Sequence, residues 1–191
     1  MELLVVISIM GILTGIMVSS GIGTNPAGAR QGAITQISQS LEEARMEAVE
    51  SGTDVYFGIA GTDVPDIGKR LHSFILFRQQ TALEQPDPTQ RTWVQLSAWQ
   101  SLPQGVYFDP DVLKTATVST TVTGLPGNPT DLQTLEFGTL GQVETDSTMP
   151  TLAIEPGVLD STGETFIRKP GNSGFLVHIY RLTGRVNLSL N

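Results

Sequence analysis

Met1-Glu-Leu-Leu-Val-Val-Ile-Ser-Ile-Met-Gly-Ile-Leu-Thr-Gly-Ile-Met-Val18 is the stretch that decides how the rest of the chain is read. Glu2 is its one charge, and the next does not come until Arg30. Carried through Ile22, the run approaches the roughly 20 residues a helix needs to cross a bilayer. Leu3, Leu4, Val5, Val6, Ile7, Ile9, Ile12 and Leu13 form its apolar body. A buried helix of a water-soluble domain is one competing reading. A cleavable secretory signal is another, but an acid stands where such signals carry Lys or Arg. A permanent helical anchor is therefore expected. A carboxylate at the lip of that helix costs a few kcal/mol in lipid unless it is paired, so Glu2 calls for a cationic partner. At the headgroup level it would need none.

Working outward, Ser19 to Pro26 holds two glycines and a proline and reads as a hinge, with Thr24 or Asn25 able to cap a new helix. From Gly28 to Ser51 the pattern is helical. Ile34, Ile37, Leu41, Ala44 and Ala48 follow three- and four-residue spacing, one stripe suited to packing on a sheet. Arg45 and its neighbouring acids read as solubilising surface ion pairs. Gly52 reads as the C-cap. From Thr53 onward short strands alternate with Pro/Gly/Asp turns. Expected strands are 54–60, 71–77, 92–99, 105–108, 117–123, 134–137, 151–154 and 165–167. A closing pair, 174–181 and 185–190, flanks a hairpin signal at Leu182-Thr-Gly184. Turns are expected at Asp109-Pro-Asp111, Leu125 to Pro129, Glu155-Pro-Gly157 and Lys169-Pro-Gly171.

The 191 residues carry 16% charged side chains, no cysteine and a net charge of −8. A disulfide framework, cysteine-ligated metals, thiol catalysis and a broadly basic nucleic-acid coat are excluded. The mean hydropathy of +0.03 averages an uncharged start with a polar, acidic remainder. His72 and His178 sit within apolar strands and are not spaced as metal ligands. The pairs Asp109/Asp111 and Asp63/Asp66 lack the carboxylate density of a calcium loop. No catalytic motif occurs in a fitting context. Neither an enzyme, a cofactor nor a metal site is expected.

Met1 to Leu13 resembles the N-terminal helix of type IV pilins and type II secretion pseudopilins, which typically reads F-T-L-[IM]-E-L-L-V-V-I. The resemblance gives Glu2 a role in filament assembly, through the N-terminal amine of a neighbouring subunit. The family's basic leader, cleavage-site glycine and first mature residues are absent, so the chain reads as starting at an internal methionine. Prepilin peptidase processing and N-methylation are implied by the family alone. Ala44-Arg-Met-Glu-Ala-Val-Glu-Ser-Gly52, Leu102-Pro-Gln-Gly-Val106, Phe137-Gly-Thr-Leu-Gly-Gln-Val143 and Thr183-Gly-Arg-Val186 are similar, in that order, to motifs of the GspH/FimT-like minor pseudopilins.

The expected fold is α+β and pilin-like, a long N-terminal helix with a hydrophobic and an amphipathic half, packed on an antiparallel β-rich head. Residues 1–23 are the transmembrane or filament-core helix, 24–52 the amphipathic continuation and 53–191 the head. The expected role is a structural subunit of a type IV pilus or type II secretion pseudopilus. Its expected location is the bacterial inner membrane, single-pass, with the head in the periplasm or outside, and then the filament. Its partners would be other pilin or pseudopilin subunits and inner-membrane lipid. A non-filamentous anchored surface-binding protein is one alternative. DNA is a further alternative partner. After Glu164 the chain is +4, from Arg168, Lys169, Arg181 and Arg185, while the rest is −12, together the net −8.

Overall fold

Residues three and four apart fall on one side of an α-helix. In the computed structural model of the chain that helix is α1, Pro26–Ser51, and Ile34, Ile37, Leu41, Ala44 and Ala48 are all buried, with Ala33 and Ser40 beside them. The structure describes residues 26–122, 124–125, 131–145, 149–170 and 173–190. Glu2, the anchor residues Leu3 to Leu13 and the 19–25 part of the hinge lie outside the described residues.

The strands are β1 Val55–Ala60, β2 Ser73–Gln79, β3 Trp93–Gln95, β4 Gln100–Ser101, β5 Val106–Phe108, β6 Val118–Thr121, β7 Asp131–Phe137, β8 Val143–Glu144, β9 Thr151–Leu159, β10 Phe166–Arg168, β11 Phe175–Ile179 and β12 Val186–Leu190. A second helix, α2, spans Pro110–Ala116. The strands form two sheets. The first has the order β3-β2-β1-β7-β6, with β4 on β2 and β8 on β7; the second has the order β10-β9-β11-β12, with β5 on β9. Their pairings are antiparallel.

Helix α1 lies across both sheets, touching β1 and β7 of the first and β5, β9, β11 and β12 of the second. The main core sits under it. Phe57 stacks on Phe74 at 5.0 Å, and Phe74 meets Phe108 of the second sheet edge-on at 6.4 Å. Leu135, Phe137, Ile154, Val177 and Ile179 complete the same cluster. A smaller cluster covers the other face of the first sheet, where Ile75, Phe77 and Leu132 meet Val64 and Val122. Gly58 lets the Phe77 ring lie over β1: a Cβ there would fall 2.6 Å from Phe77 Cε1.

Four elements differ from the sequence reading, each for a local reason. Asp109-Pro-Asp111 is a helix start, not a turn. The Asp109 side chain accepts from the Asp111 amide and Pro110 occupies the first turn of α2. Glu155-Pro-Gly157 is not a turn either, because β9 runs straight through it. The prolyl nitrogen, with no hydrogen to donate, falls between the end of pairing to β11 at Ile154 and the start of pairing to β10 at Gly157. Strand β2 begins at Ser73 instead of Leu71. Leu71 has φ of +53°, and the next two amides turn back to the Lys69 carbonyl. Of the strand expected over 92–99 only β3 forms; it ends where the Leu96 and Ser97 amides both donate to the Leu76 carbonyl, and β4 starts beyond that range at Gln100.

The single-pass inner-membrane location is corrected. Among the described residues no helix is long and apolar enough to cross a membrane. The long helix α1 carries Arg30, Glu42, Glu43, Arg45, Glu47 and Glu50, a charge load that hydrocarbon does not accept.

Candidate functional site

Three of the motifs quoted above meet in space. Arg45, on the flank of α1, donates through Nε to the Thr183 carbonyl at 2.7 Å and through Nη1 to Glu42 Oε1 at 2.6 Å. Thr183 and Gly184 form the turn between β11 and β12. Gly141 closes the turn between β7 and β8. A Cβ on Gly184 would collide with the Gly141 carbonyl oxygen and come within 2.9 Å of Arg45 Cδ. One on Gly141 would come within 3.2 Å of Val49 Cγ2 and 3.3 Å of Arg45 Cγ. The Val143 amide donates to the Arg181 carbonyl at 2.7 Å and ties the two turns together. The sequence alone reads Arg45 as a surface charge. Its main acceptor is 138 residues away, and the signal that could have found it is the pair of glycines that make room for its side chain.

The hairpin tip held there is unusually bare. Leu182 is 85% exposed and Leu140, on the neighbouring turn, 84%. Tyr180, Arg181, Leu182, Thr183 and Arg185 line a shallow groove of about 580 Å³. Among the described residues the Arg181 and Arg185 guanidinium groups have no ion-pair or hydrogen-bond partner. They flank the groove as free positive charge.

Arg168 is placed differently. It pairs with the Asp109 carboxylate, which is buried, and its Nε lies 2.7 Å from Glu155 Oε2. Its neighbour Lys169 lines a separate groove with Ala29, Gly105, Tyr107 and Pro156. Ala29 and Arg45 are 16 residues apart on α1, about 24 Å of helix. The structure thus does not bring Arg168 and Lys169 together with Arg181 and Arg185.

The histidines are engaged with neighbours. His72 Nδ1 lies 3.0 Å from the Val106 carbonyl, and His178 sits between Thr151 Oγ1 and Ser189 Oγ, each 2.9 Å away. Asp66 accepts from the Gly68 amide and pairs with Lys69. Among the described residues no group of three acids and histidines is placed to hold a metal. Tyr56 donates to Glu136 Oε1 at 3.0 Å. Burial, with the Glu136 charge second, pushes the phenol up, and burial raises the Glu136 carboxyl as well. Glu84 is bonded by Arg78 and the Thr81 amide, and these hold its carboxyl down at about 2.

The chain is similar to solved structures of the minor pilin and pseudopilin class. The minor pseudopilin EpsH from the type 2 secretion system of Vibrio cholerae aligns over 85% of this chain and 95% of its own, at 14% identity and a TM-score of 0.45. The type IV minor pilin FimU of Pseudomonas aeruginosa strain PAO1 aligns over 87% and 92%, at 14% identity and a TM-score of 0.43. No family model and no curated protein matches the chain.

Proposed function

We propose that the chain is a structural subunit, a minor pilin or pseudopilin, packed by its N-terminal helix in a type IV pilus or type II secretion pseudopilus. The observation that carries this reading is the continuity of one segment with two uses. Leu3 to Ala29 holds no charge and leads into α1, whose stripe is buried by the head. An apolar run of that length needs cover, and like runs from neighbouring subunits supply it. The GspH/FimT-like subclass is supported by Arg45, Gly141 and Gly184, three motif residues that pack against one another. Glu2 then neutralises the N-terminal amine of the adjacent subunit.

The test is recovery with sheared filaments. The unaltered chain is expected in the filament fraction, and Glu2→Ala is expected to be largely lost from it at equal cellular level. Absence of the unaltered chain from filaments would sink the reading; full recovery of Glu2→Ala would remove only the role given to Glu2. A second reading, DNA capture, draws on the free Arg181 and Arg185. It is weaker, because Arg168 is already paired with two carboxylates and the rest of the chain is strongly acidic.

A further inference from the structure

We propose that the basic, apolar hairpin tip docks on the acidic outer side of α1 in a second copy of this chain. The inference rests on the filament reading for its setting, but its argument is independent. Leu182 and Leu140 stand on two turns that touch at Gly184 and Gly141, with Tyr180 beside them and both leucines more than four-fifths exposed. Isolated exposed leucines mean little. Clustered with an aromatic ring and two unpaired arginines, they mark an interaction surface.

The complementary surface is on the same chain. Glu43, Glu47 and Glu50 recur at four- and three-residue spacing on α1, and none has an ion pair among the described residues. Met46 is exposed between them and offers Leu182 an apolar counterpart. Arg181 and Arg185 then meet carboxylates, which selects this register over others.

The geometry also says how the contact repeats. Arg45, which holds the tip, is two residues from Glu43 and from Glu47, and two residues on an α-helix are roughly 160° apart. Tip and acidic stripe therefore face opposite sides of α1. Tip and stripe are distinct surfaces on the two flanks of α1, so one tip-to-stripe contact leaves a second tip and a second stripe free. Repeated from copy to copy, the contact runs head to tail, the arrangement that builds filaments.

The chain contains no cysteine, so introduced pairs report without background. The full chain carrying Leu182→Cys and Met46→Cys, oxidised with copper phenanthroline, is expected to give a ladder of disulfide-linked dimers, trimers and longer species. Arg181→Glu with Arg185→Glu is expected to abolish the ladder. Adding Glu43→Lys, Glu47→Lys and Glu50→Lys to that variant is expected to restore it, a rescue that misfolding would not allow. Failure of the doubly substituted chain to form a ladder overturns the contact. So does a ladder indifferent to charge reversal, and so do efficient dimers from Leu182→Cys alone, which would mean tip-to-tip pairing. Retardation of duplex DNA at low salt, lost on Arg181→Glu with Arg185→Glu and accompanied by no ladder, would assign the tip to phosphate instead. A ladder with no filament incorporation keeps the contact and sinks the filament reading; incorporation with no ladder does the reverse.

Discussion

Gly184 and Gly52 share a backbone conformation and differ in what surrounds them. Their φ values are +62° and +61°. A Cβ on Gly52 would meet nothing within 4 Å, whereas one on Gly184 would strike the Gly141 carbonyl and Arg45 Cδ. Gly52→Ala is expected to cost about 1 kcal/mol, the ordinary penalty for a side chain in the left-handed region. Gly184→Ala carries that penalty and also displaces the Arg45 guanidinium from Thr183, for a total of about 3 kcal/mol. Urea unfolding of the two variants separates the terms, and equal losses would show that Arg45 is not held at the turn. Glu84 supplies a pH-dependent counterpart. Arg78 and the Thr81 amide and hydroxyl lower its carboxyl from 4.5 to about 2. Its contribution is therefore fully present above pH 4.5 and is lost as pH falls through about 2. Carboxyl carbon shifts followed by NMR are expected to titrate near 2; a midpoint above 4 would mean that the Arg78 pair does not persist in solution.

At the level of elements, α2 and β10 are joined by charge instead of by packing alone. Asp109 caps α2 with one carboxylate oxygen and binds Arg168 of β10 with the other. Arg168→Ala would leave a buried carboxylate without its cation, while Asp109→Asn keeps the cap and removes the charge. A double-mutant cycle is expected to give a coupling energy of about 1–2 kcal/mol, reduced from the buried-pair range because Arg168 is half exposed. Simple additivity would mean that the pair contributes nothing to stability. The cap also explains what the sequence made legible. The apolar period of α1, the closing hairpin and the core of β1 are visible because each shows a regular spacing over five or more residues, whereas β7, Asp131–Phe137, is legible only over 134–137. Asp109-Pro110 is equally local, but Asp-Pro serves turns and helix starts alike, and only the downstream amides, Leu113 donating to the Asp109 carbonyl, distinguish them. Pro156-Gly157 misled for the opposite reason. A proline in a strand is tolerated where one neighbour hands over to the next, and a glycine where a ring crosses, here Phe166 over Gly157. Both conditions belong to tertiary structure. So does the Arg45–Thr183 bond, which no local pattern announces.

For the molecule as a whole, the question is which parts the fold needs. Among the described residues both buried apolar clusters are built from side chains between Ala33 and Ile179. Helix α1 contributes six, Ala33, Ile34, Ile37, Leu41, Ala44 and Ala48, and they cover the seam where Phe57, Leu135 and Phe137 of one sheet face Ile154 and Val177 of the other. A buried leucine or isoleucine stabilises by about 1.5–3 kcal/mol, and loss of Ile34, Ile37 and Leu41 alone approaches the whole stability of an ordinary domain. A chain starting at Pro26 is therefore expected to unfold in a single cooperative transition. A chain starting at Gly52 is expected to lose that transition and to bind hydrophobic dyes through the uncovered seam. Calorimetry and dye binding on the two truncations test this together. If the shorter chain unfolds cooperatively, the sheets close without α1, and the helix is a strut laid on a finished head, free to answer to its neighbours in an assembly. If it does not, any force on the helix is transmitted directly into the core that links the two sheets, and the Arg45 contact lies on that path.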